Sequence, residues 1–470
     1  MSFKAQFLSV FSSKPTDDQL ALIDLFELFL KTPEPNPVFI LKGYAGTGKT
    51  TMVALLVQTL AFYKRKTILL APTGRAAKVI SLKSTHLAFT IHKLIYRRKS
   101  AADLSFGSGL SIAPNLHQNT LFIVDESSMI AAYSMNAKGE FGRNVLDDLI
   151  QYVFSGKNCR LIFVGDQGQL PPVGSDFSPA LNDAYLLNEY SNLSLFTFEL
   201  KEILRQKKKS GIIQNAAKLR VELPSDQILF QLDFNDFSRI TGTELQDELE
   251  WAYGNYGTEE TMIVCRSNKR ANAFNHQIRN RIFGYEESLI AGDLLMVVKN
   301  NYFWLDSNSP LGFIANGEII KIRKLKNRHE AYGFEFVDAL ISFTDYEKME
   351  EIEVKLMLNT IDLETPNLSR EETKRLFFEI EKEYSYEKNK KKRYDLILKD
   401  PYFNALQVKY AYAITCHKSQ GGEWAVVFVD QGYLTDEMID EEYKRWLYTA
   451  ITRASEKLYL VNFDDRFFKS

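Results

Sequence analysis

The chain predicts an α/β protein with two doubly wound parallel-sheet cores, a small β-barrel inserted in the second core and a short insertion in the first. Three observations carry that prediction. At 470 residues the chain exceeds the roughly 250–300 residues at which one hydrophobic core stops growing. Short continuous apolar runs recur along it, each closing on a small, polar or acidic residue, as strands buried on both faces do. A glycine-rich break, GYAGTGKT (43–50), separates the first such run from a helical pattern.

The first core is read from VFILKG (38–43), TILLAP (67–72), LFIVDE (121–126) and RLIFVGD (160–166). TMVALLVQTLAFY, after the glycine break, has helical periodicity and completes a strand–loop–helix unit. A second set, TMIVCRS (261–267), VKYAYAIT (408–415), AVVFVD (425–430) and KLYLVNF (457–463), predicts a second parallel sheet. Between its halves, over 291–404, GDLLMVVKN, NGEIIKIRKL and YGFEFVDALISF alternate apolar and polar residues between Gly and Asn, as the strands of a small barrel do. Within that insertion 368–398 is highly charged at helical spacing and predicts a solvated helix or hairpin of helices. The expected division is therefore 1–210, then 211–290 plus 405–470, with 291–404 inserted.

Composition alone excludes little. Fifty-eight Lys and Arg face 60 Asp and Glu, so any polyanion site must come from local geometry. Cys159, Cys265 and Cys416 lie far apart without a CxxC pair or zinc spacing, which suits a reducing interior. No apolar stretch reaches the ~18 residues of a membrane span, and the N-terminus lacks a signal-peptide pattern, so neither export nor a membrane partner is expected.

GYAGTGKT matches GxxxxGK[ST] in the strand-to-helix context that a phosphate loop requires. Gly43, Gly46 and Gly48 let backbone N–H groups face phosphate oxygens; Thr47 and Thr51 complete the nucleotide contacts. Lys49 neutralises the β- and γ-phosphates, and the Thr50 hydroxyl ligates Mg²⁺. These residues predict ATP and Mg²⁺ as cofactors. In LFIVDESS (121–128), Asp125 is expected to hold the metal and Glu126 to polarise the attacking water. In RLIFVGDQGQLPPVG (160–174), Gln169 is placed to bond the γ-phosphate or its attacking water.

GDQGQLPPV (165–173) resembles the third motif of the superfamily 1 helicases, and further blocks follow in that family's order. PTDDQ (15–19) is similar to the Gln motif, implying that Gln19 reads adenine. APTGRAAK (71–78) and TIHKLI (90–95) resemble the motifs that grip single-stranded DNA, which implicates Pro72, Thr73, Gly74 and His92. LKEILRQ (200–206) and WLYTAITRA (446–454) supply Arg205 and Arg453, similar to the arginines that reach the γ-phosphate. ITCHKSQGGEW (414–424) resembles the motif coupling the two sites: Thr415, His417 and Ser419 toward the strand, Gly422 and Glu423 toward the nucleotide. SNKRANAFN (267–275) adds Arg270, Asn272, Phe274 and, as a strand contact, Asn275. Of the aromatics Phe89, Phe274, Tyr302, Phe303 and Trp304, one or two are expected to stack on bases.

The RecD/Dda-like group of that family places a β-hairpin pin where this chain has 96–120, with Phe106 or Leu110 at its tip; a plain surface loop reads equally well there. The resemblance implies two RecA-like domains, an SH3-like barrel and a monomer working on single-stranded DNA and duplex junctions. It also implies 5′-to-3′ movement, a replication or repair setting in a bacterial or phage-infected cytoplasm, and single-strand-binding or replication proteins as partners. Two other readings stay open: an RNA-directed helicase, and a nucleotide-switched DNA-binding or loading ATPase without processive unwinding.

Overall fold

The computed structural model describes residues 2–11, 14–98, 110–132, 144–203, 209–220, 228–305, 309, 311, 313–346 and 349–468. The first lobe lays down β1 (Pro37–Gly43), β2 (Lys66–Ala71), β3 (Ala88–Thr90), a short antiparallel ribbon β4 (Tyr96–Arg98) and β5 (Leu110–Ile112), then β6 (Thr120–Val124), β7 (Arg160–Gly165) and β8 (Ser194–Leu200). Apart from the ribbon these strands form one parallel sheet in the order β3-β2-β6-β7-β1-β8.

Both faces of the sheet are buried, which is why its strands read as unbroken apolar runs. Val38 and Ile40 of β1 point into a cluster with Leu146, Leu149 and Val153 of the helix Val145–Ser155. Phe39 and Leu41 point the other way, against Phe26 and Phe29 of the helix Asp17–Lys31 and Met52 and Leu56 of the helix Lys49–Phe62. β8, which pairs with β1 at the sheet edge, was not among the expected strands. Its SLFTFEL is only partly buried, so it lacks the continuous apolar signature.

The second lobe contains β9 (Phe237–Ile240) and β10 (Thr261–Cys265). The barrel follows with β11 (Leu294–Val297), β12 (Ile319–Ala331), β13 (Phe334–Phe343), β14 (Ile352–Met357) and β15 (Leu406–Tyr410). The chain then returns through β16 (Ala413–Thr415), β17 (Trp424–Asp430) and β18 (Ala454–Val461). The parallel sheet runs β16-β10-β17-β18-β9, and β11 to β15 close a barrel. The apolar run 408–415 is thus not one strand. Its first part, the end of β15, pairs with β11 in the barrel, and only Ala413–Thr415 joins β10. A buried ion pair fastens the barrel at this crossing. Arg279 donates through Nε and Nη2 to the two oxygens of Asp293 (2.9 and 3.0 Å), and the Tyr412 hydroxyl donates to Asp293 Oδ1 (3.0 Å).

The charged segment forms two helices, Arg370–Glu383 and Lys390–Leu398. Ser369 and Glu372 close a capping box at the first. The hairpin is not solvated all round: Leu376, Ile380 and Ile397 bury against Phe334, Phe336 and Met357 at the far end of the barrel.

Candidate nucleotide and strand sites

In the first sheet β6, β7 and β1 are neighbours, so the residues that follow their carboxyl ends meet. β1 delivers the glycine loop, β6 delivers Asp125 and Glu126, and β7 delivers Asp166 and Gln169. Convergence at the carboxyl ends of a parallel sheet follows from its topology. In the second sheet β17 and β18 are neighbours whose entries lie side by side, with Trp424 opposite Ala454. That register brings Gly421, Gly422 and Glu423 beside Thr452 and Arg453. A single cavity of about 570 Å³ between the lobes is lined from both sides, including Gly46, Gly48, Lys49, Thr50, Thr51, Asp125, Glu126, Gln169, Gly422, Glu423 and Arg453.

Gly46 and Gly48 sit at φ +81° and +88°, the left-handed region that glycine adopts without strain. Gly48 immediately precedes the helix Lys49–Phe62, so the loop delivers the positive end of that helix to the cavity. Lys49 Nζ donates to the carbonyls of Gly43 (2.7 Å) and Tyr44 (3.1 Å) and lies 4.0 Å from Asp166 Oδ2. Gly43 and Thr47 shape the loop from outside the cavity lining. Thr47 is buried and its hydroxyl donates to the Tyr44 carbonyl (2.8 Å).

Asp125 is 7% exposed and accepts the Glu126 N–H (2.9 Å). Burial, then the neighbouring Glu126 carboxylate, push its carboxyl up to about 6. A carboxylate short of compensating charge, with the Thr50 hydroxyl in the same cavity, fits Mg²⁺, which takes few protein ligands and fills its shell with phosphate oxygens and water. Among the described residues no group of three or more His, Cys, Asp or Glu side chains could hold a metal alone. Glu126 itself has φ +52°, an unusual backbone for a non-glycine residue, which turns its side chain out of the strand direction into the cavity. Gln169 is 5% exposed and its Oε1 has no hydrogen-bond partner, leaving an acceptor for a ligand or water.

Arg453, 5% exposed, is held by its own lobe: Nε donates to Thr449 O (2.9 Å), Nη1 to Gly422 O (3.1 Å) and Nη2 to Thr452 Oγ1 (3.1 Å). Arg205 lies outside the described residues. Gln19 does not line the cavity. Its Oε1 accepts the Thr16 N–H (3.0 Å) in a capping box at the start of the helix Asp17–Lys31.

The expected strand residues divide. Thr73 caps the helix Gly74–Ser84 by accepting the Ala76 N–H (3.2 Å); Pro72 precedes it, and Gly74 is covered by Glu318 of the barrel. His92, in the helix Ile91–Ile95, packs against Tyr96. Thr415 and His417 are half-buried at the second lobe's counterpart, where burial pushes the His417 ring down. Two assignments need correction. Asn275 is 2% exposed and wholly engaged: Nδ2 donates to Tyr410 O and Ala413 O, and Oδ1 accepts from Tyr412 N and Ala413 N. It fixes the barrel-to-sheet crossing and has nothing left for a phosphate. Ser419, fully buried, donates to Cys416 O (2.7 Å).

Among the aromatics Phe274 is buried, Tyr302 stacks on Phe313, Trp304 Nε1 donates to Asn404 O (2.8 Å) with Phe303 edge-on to it, and Phe89 lies under Lys93. Phe106 falls outside the described residues, and Leu110 opens β5 opposite Arg98.

Two residues at the lobe boundary were missed by reasoning from sequence. Tyr448 donates its hydroxyl to Asp166 Oδ2 (2.6 Å) and accepts the Ala45 N–H (2.9 Å). The signal available was their position inside motifs already singled out, WLYTAITRA and GDQGQLPPV.

Comparison with known proteins places this architecture. Residues 32–241 match the AAA domain family and residues 410–461 the UvrD-like helicase C-terminal domain. The chain is 25% identical to the ATP-dependent DNA helicase dda of Enterobacteria phage T4, over 60% of this chain and 62% of that protein. It is 23% identical to RecBCD enzyme subunit RecD of Buchnera aphidicola, over 93% of this chain and 72% of that protein. It also spans 36% of the length of a Methanocaldococcus jannaschii protein, at 24% identity. The crystal structure of Pif1 helicase from Bacteroides in complex with ADP-AlF3 and ssDNA shares the fold, with a TM-score of 0.50 at 16% identity over 98% of this chain and 95% of that one. With its paired parallel sheets and inserted barrel, the chain thus joins an AAA domain to a UvrD-like helicase C-terminal domain in a fold shared with Pif1 helicase, and it is similar in sequence to the Dda and RecD helicases.

Proposed function

We propose that the protein is an ATP-dependent DNA helicase that moves 5′-to-3′ on single-stranded DNA and unwinds duplex. The observation that carries this reading is the shared cavity, in which Lys49, Asp125 and Glu126 of one lobe face Gly422 and Arg453 of the other. In phosphoryl transfer negative charge spreads over the γ-phosphoryl oxygens, so donors from two lobes stabilise the transition state together only when the lobes are apposed. Loss of phosphate removes those charge-assisted bonds and lets the lobes part.

Lys49 and the loop N–H groups hold the phosphates, Glu126 takes a proton from the attacking water, Gln169 orients that water, and Arg453 meets the developing charge. Thr50 and Asp125 would hold Mg²⁺, which supplies neutralisation of the β- and γ-phosphates. Arg205 is assigned a second γ-phosphate contact and Gln19 the adenine edge, both by family resemblance. Thr73, His92, Thr415 and His417 remain the assigned strand contacts. A monomer on single strands and duplex junctions, beside single-strand-binding or replication proteins, completes the reading. The three buried free thiols suit a reducing cytoplasm; no helix among the described residues is long and apolar enough to cross a membrane.

Strand displacement on DNA and RNA duplexes carrying a 5′ or a 3′ overhang tests this. ATP-dependent opening of the 5′-overhang DNA is expected; opening of RNA alone, or of the 3′-overhang form alone, would replace the substrate or the polarity. A protein that hydrolyses ATP on single strands yet displaces no strand would be the loading ATPase.

A further inference from the structure

Asp166 stands where the two lobes and the phosphate loop meet, and its two oxygens are used differently. Oδ1 accepts the Gly168 N–H (2.9 Å), which fixes the carboxylate on its own turn. Oδ2 accepts the Tyr448 hydroxyl at 2.6 Å, and the same oxygen lies 4.0 Å from Lys49 Nζ. Tyr448 belongs to the helix Glu441–Ile451 of the second lobe, and its oxygen also accepts the Ala45 N–H of the loop at 2.9 Å. Tyr448 and Asp166 are 2% and 1% exposed, so water does not compete for these bonds.

One carboxylate oxygen therefore has two suitors: a hydroxyl from the far lobe, in contact, and the ammonium that grips phosphate, just out of contact. In a site of low polarity an anion stripped of its hydrogen bond is costly, and a cation at 4 Å is strongly drawn to it. Arg220 adds to the cluster. Its guanidinium lies 3.8 Å over the ring of the loop's Tyr44, with Nε and Nη1 buried and unpartnered.

We propose that Tyr448 and Asp166 form a product-release switch, in which Tyr448 holds Asp166 while the lobes are closed and its withdrawal frees Asp166 to pull Lys49 off the nucleotide. Closed, the Tyr448 hydroxyl satisfies Oδ2 and the Ala45 N–H, and Lys49 stays available to phosphate. Open, Oδ2 loses its donor and Ala45 its acceptor, Lys49 closes on the carboxylate, and the β-phosphate of the diphosphate loses the ammonium of the phosphate loop. Both are positioning residues that act through Lys49. The proposal rests on the ATPase reading above and adds to it the step that couples lobe opening to diphosphate loss.

The test is the dissociation rate of a fluorescent ADP analogue in Mg²⁺, measured by stopped flow on the full chain, with thermal melting as a folding control. Tyr448→Phe is expected to speed release at least threefold, because Asp166 is left to Lys49. Asp166→Asn is expected to slow it, since a neutral amide draws an ammonium weakly. The double variant should release slowly, like Asp166→Asn, a reversal that a merely structural role would not produce. Acceleration by both single variants, multiplying in the double, would overturn the switch, as would an unchanged rate in Tyr448→Phe. Should Tyr448→Phe melt below the assay temperature, Asp166→Asn decides alone: slower release supports the switch, faster or unchanged release rejects it. Failure of the wild-type protein to bind ADP at all would instead reject the ATPase reading.

Discussion

The cleft between the lobes and the face assigned to the strand are built by the same two sheets, yet they leave different groups without a partner. In the cleft an acceptor and a carboxyl are left wanting: Gln169 Oε1 lacks a partner, burial and Glu126 push the Asp125 carboxyl up, and Gly46 and Gly48 hold the left-handed backbone of the phosphate loop. On the strand face the lysines are spent on internal acceptors, while both oxygens of the buried Glu318 and Oδ2 of Asp345 lack a partner. Lys78 Nζ reaches Asp345 Oδ1 (3.3 Å), Lys93 Nζ donates to Ser309 O (3.3 Å), and the Tyr346 hydroxyl donates to Gly74 O (3.4 Å). Each of these bonds ties the inserted barrel region to a segment of the first lobe that is assigned to the strand. On the proposed reading, the contrast separates a preorganised nucleotide site, whose cost of ordering is met during folding, from a strand face whose lysines would exchange internal partners for phosphates.

The largest effect that contrast predicts is on the cleft. Lys49→Ala is expected to abolish ATP hydrolysis with or without DNA, because nothing else in the loop supplies its charge; substantial DNA-stimulated turnover in that variant would remove Lys49 from its role. Glu126→Gln should bind nucleotide normally while kcat falls by about 10²-fold or more, the usual scale for a lost general base. An unchanged kcat would assign the base elsewhere.

Asp125 gives a pH dependence. Its carboxyl is raised to about 6 by burial and by Glu126, so below that value it is mostly protonated and metal must displace the proton. Apparent Mg²⁺ affinity in the ATPase should therefore fall as pH drops through about 6, by roughly tenfold per unit at the limit of one proton. The sign for stability is opposite. A raised carboxyl binds its proton more tightly folded than unfolded, so its contribution is present at low pH and lost as pH rises toward 6 and beyond. Asp125→Asn should accordingly stabilise the metal-free protein at pH 7, and lower melting in that variant would contradict the reading.

The smallest effect on chemistry falls on the other side of the comparison. Asn275→Ala should cost about 3 kcal/mol in denaturant unfolding, from the loss of its buried bonds, while strand affinity per folded molecule stays unchanged. Lowered affinity at unchanged stability would restore Asn275 to the strand.

The same contrast governs what the sequence made legible. The loop, the acidic pair and Gln169 are contiguous stretches at strand ends, where a motif and a local backbone requirement coincide. Arg453 was legible through its motif, and it lines the expected cavity. Asn275 and Ser419 misled because a polar side chain near an expected strand path looks the same in sequence whether it faces solvent or a backbone carbonyl. The division of 408–415 between barrel and sheet was hidden for a related reason: residues 408–414 are buried without interruption, so the apolar run carries no break. The Tyr448–Ala45 bond joins residues 403 positions apart, and nothing in local spacing announces such a pair.

The most direct test of the central claim, a nucleotide clasped by side chains from both lobes, is the turnover of Arg453→Ala alongside its nucleotide affinity. Arg453 is the described side chain that brings positive charge from the second lobe into a cavity whose phosphate loop belongs to the first. DNA-stimulated kcat is expected to fall by about 10²–10³-fold, the scale of a lost transition-state donor, with ADP binding nearly unchanged. Turnover within about twofold of wild type, by a variant that binds ATP and DNA normally, would contradict the account.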